Sequence, residues 1–198
     1  PEIEMDLCGH ATLAAAYVII NYFKHKNHQI NFKTLSGNLK VNFDGNIYTL
    51  DFPSRKPIEI EFPDIIKNVF SIEPIKTFRS RDYLLVYRNE LEIKNITLNH
   101  GLLNKIDLGT GGIIVTSKGD KSDFVSRYFT PNSTITEDPV TGSAHCSLIP
   151  YWGEVLNKKK MTAIQLSERR GELICEDKNK RVLIGGKAKI YSKGSMWI

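Results

Sequence analysis

The sequence has few cysteines and no long apolar run. Its three cysteines are widely separated, which argues against a disulfide framework and favours a reducing cytoplasm. The longest apolar run, residues 13–20, is far shorter than the roughly 18 residues of a membrane-spanning helix. The first residues also lack the basic, apolar and small-residue regions of a signal peptide. We therefore expect a cytoplasmic protein with no membrane partner.

Positive charge is only mildly in excess. The chain has 27 lysines and arginines against 22 acidic residues, a formal net charge of +5. Basic residues cluster at positions 158–160 and 178–181, but no zinc-finger spacing or RNA-binding aromatic signature accompanies them. We interpret the clusters as a solvated helix end and a hairpin turn, so no nucleic-acid partner is expected.

Hydrophobic patterning predicts a chain that mixes helices and strands. Residues 9–24 are apolar on nearly all sides, which predicts a buried helix, and a second helix is predicted over 142–156. Alternating apolar residues predict a hairpin over 38–52, followed by a proline-containing linker at 52–57. A short helix is predicted at 65–70. Further strands are predicted at 83–87, 112–116, 123–129, 163–166, 173–175, 182–184, 188–191 and 196–198.

A weak internal repeat relates the starts of the two long helices. Residues 4–12 align with 137–145, so that Gly9 meets Gly142, and each segment passes from an acidic loop into a small-residue helix. This predicts a duplicated unit with two facing helix N-termini. The second copy is preceded by the predicted strand 123–129, whereas the first begins close behind Pro1. We therefore expect an N-terminally incomplete chain.

The residues at the two helix starts suit proton transfer beside a carboxylate. A helix N-terminus carries unpaired N–H groups and partial positive charge, and Gly9 and Gly142 permit close backbone approach. Ser143 adds a hydroxyl donor, His10 a proton carrier and Asp138 a carboxylate. Such groups can remove a proton and stabilise the enolate-like charge that results.

Other interpretations of single residues stay open at this point. Asp138 before Pro139 also fits a turn cap, His10 a backbone-bonded helix start, and Cys8 a small buried apolar residue. The neighbours His145 and Cys146 are disfavoured as a metal site or thiol-protease pair, because adjacent helical residues point about 100° apart.

Two segments carry a resemblance to a known family. Residues 6–14 and 137–145 resemble the two signatures of the phenazine-biosynthesis PhzF-like isomerase family, and residues 51–53, 123–129 and 165–171 resemble further motifs. The resemblance covers essentially the whole chain. It implies an α/β (α+β) fold like that of diaminopimelate epimerase, with two pseudo-symmetric domains that each wrap a curved sheet or barrel around a central helix.

The same resemblance implies a domain division. Residues 1–55 would be the remainder of an incomplete first domain, and residues 58–186 the second domain. Residues 187–198 would form a C-terminal strand that returns to the first domain.

The resemblance also implies an activity. Family members are typically cofactor-free, metal-free dimers that isomerise a small carboxylate by proton shuttling. A glutamate is the main acid/base group, and the assisting histidine and aspartate match His10 and Asp138. That glutamate belongs to a segment upstream of the first signature, so we expect this chain alone to be inactive. The alternative is a non-catalytic protein that binds small anions or a partner on the same fold.

The remaining site residues follow from the matched signatures. Gly9, Gly142 and Ser143 would line the substrate site, together with Cys8 and Thr141. Cys8 falls where epimerase and proline-racemase relatives have a catalytic cysteine, but Thr141 occupies the matching second position, which argues against a two-thiol racemase. Arg170 stands where the family commonly has glycine, so the local turn geometry is open.

Overall fold

The computed structural model describes residues 6–131 and 133–197. In these residues four α-helices and eleven strands form a mixed α+β fold with far more sheet than helix. The helices are α1 Gly9–Tyr17, α2 Glu90–Asn95, α3 His100–Leu103 and α4 Gly142–Val155, with a π-helical turn at Val18–Tyr22 and a 3₁₀ turn at Asp64–Ile66. The strands are β1 Gln29–Thr34, β2 Gly37–Phe43, β3 Tyr48–Pro53, β4 Ile58–Ile60, β5 Lys76–Arg79, β6 Tyr83–Val86, β7 Ile113–Lys118, β8 Phe124–Phe129, β9 Lys160–Gln165, β10 Gly171–Asp177 and β11 Arg181–Gly186.

The eleven strands form one open sheet in the order β1-β2-β3-β11-β10-β9-β8-β7-β6-β5-β4. The β6–β7 and β8–β9 pairs are parallel, and the other neighbours are antiparallel. Strand β3 pairs with β11, from Tyr48 opposite Gly186 to Pro53 opposite Arg181. This pairing joins the N-terminal hairpin to the end of the chain. The structure is thus a mixed α+β fold, with an open sheet rather than a closed barrel.

Helix α4 lies at the centre of one hydrophobic core. Cys146, Leu148 and Ile149 are fully buried, and the Trp152 indole donates to the Thr116 hydroxyl at 2.9 Å. Burying these side chains is the main stabilising contribution of the helix, since apolar burial is worth about 25 cal/mol per Å². Helix α1 is only half-buried, contrary to the prediction from its apolar sequence, because Ala11 and Ala14 are exposed.

A second core lies between strands β6–β8 and helices α2 and α3. Fully buried residues include Ile93 and Leu103 from the helices and Val115 from β7. Each helix begins at an asparagine whose side chain accepts a hydrogen bond from a first-turn N–H: Asn89 from Glu92 and Asn99 from Leu102. Such N-caps stabilise helix starts by about 1 kcal/mol.

The C-terminal residues differ from the predicted pattern. Residues 187–197 form no strand, so the predicted strand 188–191 is wrong, as is 196–198 over its described part; Ile198 lies outside the described residues. Tyr191 and Trp197 are almost fully exposed, so the apolar side chains on which the prediction rested are not buried. The strand that joins the first sheet segment is β11, inside the range assigned to the second domain. The predicted domain division itself stays a prediction.

Candidate active site

The starts of helices α1 and α4 touch each other at two glycines. A Cβ atom placed on Gly9 would lie 3.1 Å from the Gly142 Cα, and one placed on Gly142 would lie 3.2 Å from the Gly9 Cα. The Phe52 ring lies 3.4 Å from the same position at Gly9. Because the backbones meet this closely, neither position accommodates a larger side chain without movement. The predicted facing helix N-termini are therefore present.

The two helix starts have matching backbone conformations. Cys8 precedes α1 with φ −123° and ψ 95°, and Thr141 precedes α4 with φ −112° and ψ 95°. Neither side chain caps its helix, and neither first turn, described in full, contains an acidic residue. The partial positive charge of each helix end is therefore not neutralised by an acidic residue of its own first turn. Glu4 and Met5, which open the first copy of the repeat, lie outside the described residues.

Cys8 and His10 form a pair at the start of α1. The Cys8 Sγ lies 3.5 Å from the His10 Nε2 and 4.0 Å from its Nδ1. This hydrogen bond lowers the pKa of the Cys8 thiol, assisted by the backbone N–H of Ala11, and outweighs the opposing effect of burial. The same bond raises the pKa of His10. The pair therefore favours the charged form of each partner relative to an isolated thiol or imidazole.

Asp138 lies on the other side of this pair, in the loop before α4. One carboxylate oxygen, Oδ2, accepts a hydrogen bond from the Thr141 hydroxyl at 2.7 Å. The backbone N–H of Asp138 donates to the Tyr128 carbonyl at 3.1 Å, which ties the loop to β8. The negative charge of Asp138 adds to the rise in the pKa of His10 and opposes the lowering of the pKa of Cys8. The three side chains are therefore electrostatically coupled.

Gln165, at the end of β9, fixes the loop that carries Asp138. Its Oε1 accepts from the Thr141 backbone N–H at 2.8 Å, while its Nε2 donates to the Asp138 carbonyl at 2.6 Å and to the Thr141 hydroxyl at 3.1 Å. Ser167 donates to the Pro139 carbonyl at 2.7 Å. The sequence analysis assigned no role to either residue, although both lie in the motif at 165–171.

Ser143 is bound from behind by Arg81, another residue that the sequence analysis missed. The Arg81 Nη2 donates to the Ser143 Oγ at 3.0 Å, and its Nη1 donates to an Asp6 oxygen at 3.2 Å. Arg81 thus connects the chain entering α1 with the first turn of α4. A guanidinium can only donate, so Ser143 must accept here and its own hydroxyl proton points elsewhere.

Buried charges hold Arg81 in place. The fully buried Asp82 side chain lies 2.9 Å from the Arg81 Nη2 and accepts from the Tyr128 hydroxyl at 3.1 Å. Burial, the largest single influence, would lower the pKa of Arg81, but the charge and hydrogen bond of Asp82, together with the nearby Tyr128 and Asp6, outweigh it and raise that pKa. On the far side, Asp6 also binds Arg55 at 2.5 Å. Burial, the largest single influence, would raise the pKa of Asp6, but the hydrogen bond and charge of Arg55, the charge of Arg81 and the Ser36 hydrogen bond together lower it.

His145 and Cys146 are fully buried side chains of α4. The His145 Nδ1 lies 2.8 Å from the Thr141 carbonyl, and the Cys146 Sγ lies 4.0 Å from the Gly142 carbonyl. Complete burial lowers the pKa of His145 to about 4 and raises that of Cys146 to about 12. Both side chains bond back along their own helix. This arrangement agrees with the expectation that they form no catalytic pair.

A cavity of about 950 Å³ opens beside the two helix starts. Gly9, His10 and Gly142 contribute to its wall, with apolar side chains such as Leu13 and Leu50 further along. The cavity is large enough for a small organic acid. Among the described residues, no group of three or more His, Cys, Asp or Glu side chains could hold a metal ion.

The predicted site residues fall into two groups. The first group lies around the contact between the helix starts and comprises Cys8, Gly9, His10, Asp138, Thr141 and Gly142. Ser143 lies in the same first turn but is buried, with its oxygen on Arg81. The positions agree with a shared site, while the roles of these residues stay predictions.

The basic clusters lie away from this site and pair with acids. Lys158 binds Asp123 at 2.5 Å, and Arg181 binds Asp51 at 2.6 Å. In the part of the chain that the structure describes, no helix is both long and apolar enough to cross a membrane.

The fold and the paired helix starts define a protein of the diaminopimelate epimerase-like class. The family model described as "Phenazine biosynthesis-like protein" matches residues 1–194. An uncharacterized isomerase of Pseudomonas aeruginosa is 39% identical over 196 residues, which cover 99% of this chain and 75% of that protein. The chain therefore belongs to the phenazine biosynthesis-like PhzF family.

Solved structures agree with this assignment. The crystal structure of a phenazine biosynthesis protein of the PhzF family from Enterococcus faecalis superposes with a TM-score of 0.92 and 43% identity, covering 100% of this chain and 76% of that one. A predicted epimerase from Pseudomonas aeruginosa superposes with a TM-score of 0.66 at 16% identity, covering 100% and 77% of the two chains. At that identity the second likeness concerns the fold alone.

Proposed function

We propose that the protein is an isomerase or epimerase that moves a proton on a small carboxylate substrate by acid/base catalysis, without a metal or cofactor. One observation carries the proposal: two uncapped helix N-termini meet at Gly9 and Gly142, with His10 and Asp138 beside them. The relatives that are named isomerases support the reaction class.

The helix starts would bind the substrate carboxylate. The first turns of both helices meet at the glycine contact, and an anion placed there would interact with the positive end of each helix. Because Arg81 donates to the Ser143 oxygen, the Ser143 hydroxyl proton is free to donate to a substrate oxygen. Charge that develops next to the carboxylate is then stabilised by fixed donors.

Asp138 and His10 would carry the proton. Asp138 keeps its Oδ2 on Thr141, which holds the carboxylate in place. The bond to Cys8 raises the pKa of His10, which favours the protonated ring that a proton donor needs. The family resemblance adds a main acid/base glutamate from a segment upstream of the first signature, and the test must use the gene product with any residues encoded before Pro1.

Proton exchange with solvent is the direct assay. A panel of small chiral and unsaturated carboxylates is incubated in D₂O with the protein, and deuterium at the carbon next to the carboxylate is followed by NMR. We expect exchange with at least one panel member and its loss in Asp138→Ala and in His10→Ala. The matched control Asp64→Ala removes an exposed carboxylate on the far 3₁₀ turn and should leave exchange unchanged.

Two outcomes separate this proposal from its alternative. Unchanged exchange in both Asp138→Ala and His10→Ala would sink the roles assigned to these residues. Saturable binding of small carboxylates with no exchange in the complete gene product would contradict the isomerase proposal and support a binding protein instead. We further propose that the protein is a cytoplasmic homodimer. Light scattering of the purified protein would test whether it is a dimer.

A further inference from the structure

The amide of Gln165 makes three hydrogen bonds, all to the loop that carries Asp138. Gln165 is fully buried at the end of β9. Its Oε1 accepts from the Thr141 N–H at 2.8 Å, and its Nε2 donates to the Asp138 carbonyl at 2.6 Å. A backbone N–H can only donate and a carbonyl can only accept, so these two bonds fix which end of the amide faces which partner.

That orientation dictates the direction of the next hydrogen bond. The Gln165 Nε2 lies 3.1 Å from the Thr141 Oγ1 and must donate to it, because an amide nitrogen has no acceptor. The Thr141 oxygen is therefore an acceptor on that side, and its single proton is free for Asp138. The Thr141 hydroxyl donates to the Asp138 Oδ2 at 2.7 Å, which makes a one-way chain from amide to hydroxyl to carboxylate.

We infer that Gln165 is a positioning residue for Asp138, acting through the Thr141 hydroxyl, whose proton it directs onto the carboxylate. The inference rests on the proposed function of Asp138. Gln165 itself lies behind Thr141 and holds the loop through two of its backbone groups. The chain of donors keeps Oδ2 occupied and leaves Oδ1 as the oxygen available for proton transfer.

A donor aimed at a carboxylate favours its ionised form over its protonated form. Loss of that donor should therefore change the pH profile of exchange relative to the wild type. The other titratable groups that feel the charge of Asp138 come from α1 and β8: they are Cys8, His10 and Tyr128. None of them is altered by a change at Gln165, so their contribution is shared by all the variants compared.

Gln165→Glu replaces the donor nitrogen of the side chain with an acceptor oxygen and keeps the other oxygen as an acceptor. A glutamate at this position still accepts from the Thr141 N–H but turns the Thr141 hydroxyl toward itself, away from Asp138. Thr141→Val removes the hydroxyl with little change of shape, and Thr141→Ser retains it. The matched control is Ser167→Ala, which removes a hydrogen bond to the same loop, at the Pro139 carbonyl, without touching the chain to Asp138.

Two readouts are measured on the full gene product. The first is the pH profile of deuterium exchange. The second, independent of activity, is the ¹³C chemical shift of the Asp138 carboxyl group followed from pH 2 to pH 7. In Gln165→Glu and in Thr141→Val the acid limb and the carboxyl transition should both move to higher pH, by about one pH unit. Ser167→Ala should superpose on the wild type, and Thr141→Ser, which keeps the hydroxyl, should restore the carboxyl transition that Thr141→Val shifts.

The double variant decides whether Gln165 acts through Thr141. If it does, Gln165→Met, which removes the donor without adding the charge of a glutamate, combined with Thr141→Val should shift the transition no further than Thr141→Val alone. Additive shifts, or an equal shift in Ser167→Ala, would overturn the inference and leave Gln165 a merely structural residue. Absence of exchange in the wild type would refute the proposed function, while the carboxyl transition would still decide the role of Gln165.

Discussion

Gly9 and Gly142 lie in mutual backbone contact, each within 3.2 Å of where a Cβ of the other would be placed. They hold matching positions in a weak internal repeat, so two copies of one helix start meet face to face. The contact brings two helix N-termini to one point and places His10 and Asp138 beside it. The proposed chemistry depends on this contact.

A methyl group at the contact should loosen it. Gly9→Ala places a Cβ 3.1 Å from the Gly142 Cα and 3.4 Å from the Phe52 ring, so backbone must move. We expect a loss of about 1–3 kcal/mol in the free energy of unfolding, measured by urea denaturation. The control Gly194→Ala has nothing within 4 Å of the new Cβ and should change stability by less than about 0.5 kcal/mol. Equal stability of the two variants would contradict the contact.

Cys8 should be the reactive thiol of the protein. It is partly exposed and paired with His10, whereas burial raises the pKa values of Cys146 and Cys175. At pH 7 iodoacetamide should therefore modify Cys8 first, as mapped by mass spectrometry. His10→Gln should slow the reaction severalfold, because thiolate content changes ~10-fold for each pKa unit. Equal labelling rates at all three cysteines would disprove the pairing.

The same labelling tests a thiol mechanism. Alkylation should block the site sterically, whereas Cys8→Ala should retain proton exchange if Cys8 only lines the site. Loss of exchange in Cys8→Ala, with folding intact by circular dichroism, would instead assign Cys8 to the chemistry.

His145 should make the fold acid-sensitive. Its folded pKa is about 4, below the ordinary value of 6.5, because the ring is completely buried. The unfolded chain therefore binds a proton between these values that the folded chain does not, and stability is full above pH 6.5 and falls as the pH drops toward 4. Between pH 7.5 and pH 5 we expect a loss of about 2 kcal/mol from this group.

A variant separates this effect from other titrations. His145→Asn retains a donor for the Thr141 carbonyl but does not titrate. Its unfolding free energy should be lower at both pH values and fall less between them than that of the wild type. An unchanged pH dependence would show that His145 is not the group responsible.

Arg81 should be worth far more than a surface arginine. Arg81→Met leaves Asp82 buried without its ionic partner and releases Ser143, which we expect to cost about 3–5 kcal/mol. Arg88→Met removes an exposed cation paired with Glu92 and should cost less than about 1 kcal/mol. Similar unfolding midpoints for the two variants in urea would contradict the buried network.

The sequence predicted the parts of the site that local pattern encodes. The switch from acidic loop to small-residue helix placed Gly9 and Gly142 at helix starts, and the repeat predicted that they face each other. The roles of Arg81 and Gln165 were not predicted because their partners are distant in sequence. Arg81, for example, binds Ser143 and Asp6, which no local pattern connects. Only the fold brings these groups together.

Local strain at Arg170 was only partly foreseen. The family resemblance suggested glycine at this turn, and the arginine here adopts φ +54°, a conformation that favours glycine. Its N–H donates to the Ser167 carbonyl at 3.1 Å, which closes the turn between β9 and β10. The turn thus keeps a glycine-like backbone despite the side chain.

Several elements were missed because their signals are short. Strands β4 and β5 are only three and four residues long. Helix α2 carries a sequence signal of its own, since Glu92 follows the N-cap residue Asn89 by three positions. The C-terminal strands were predicted from apolar residues that prove to be exposed. Burial depends on whether another element packs against the segment, and a local apolar pattern does not show this.

The central claim is that Asp138, in the loop that leads into α4, takes part in transfer of the substrate proton. The most direct measurement is the rate of deuterium incorporation next to the carboxylate by wild type, Asp138→Asn and the surface control Asp64→Asn, each in the full gene product. The account predicts a loss of at least about 100-fold in Asp138→Asn and none in Asp64→Asn. Equal rates in wild type and Asp138→Asn would contradict it.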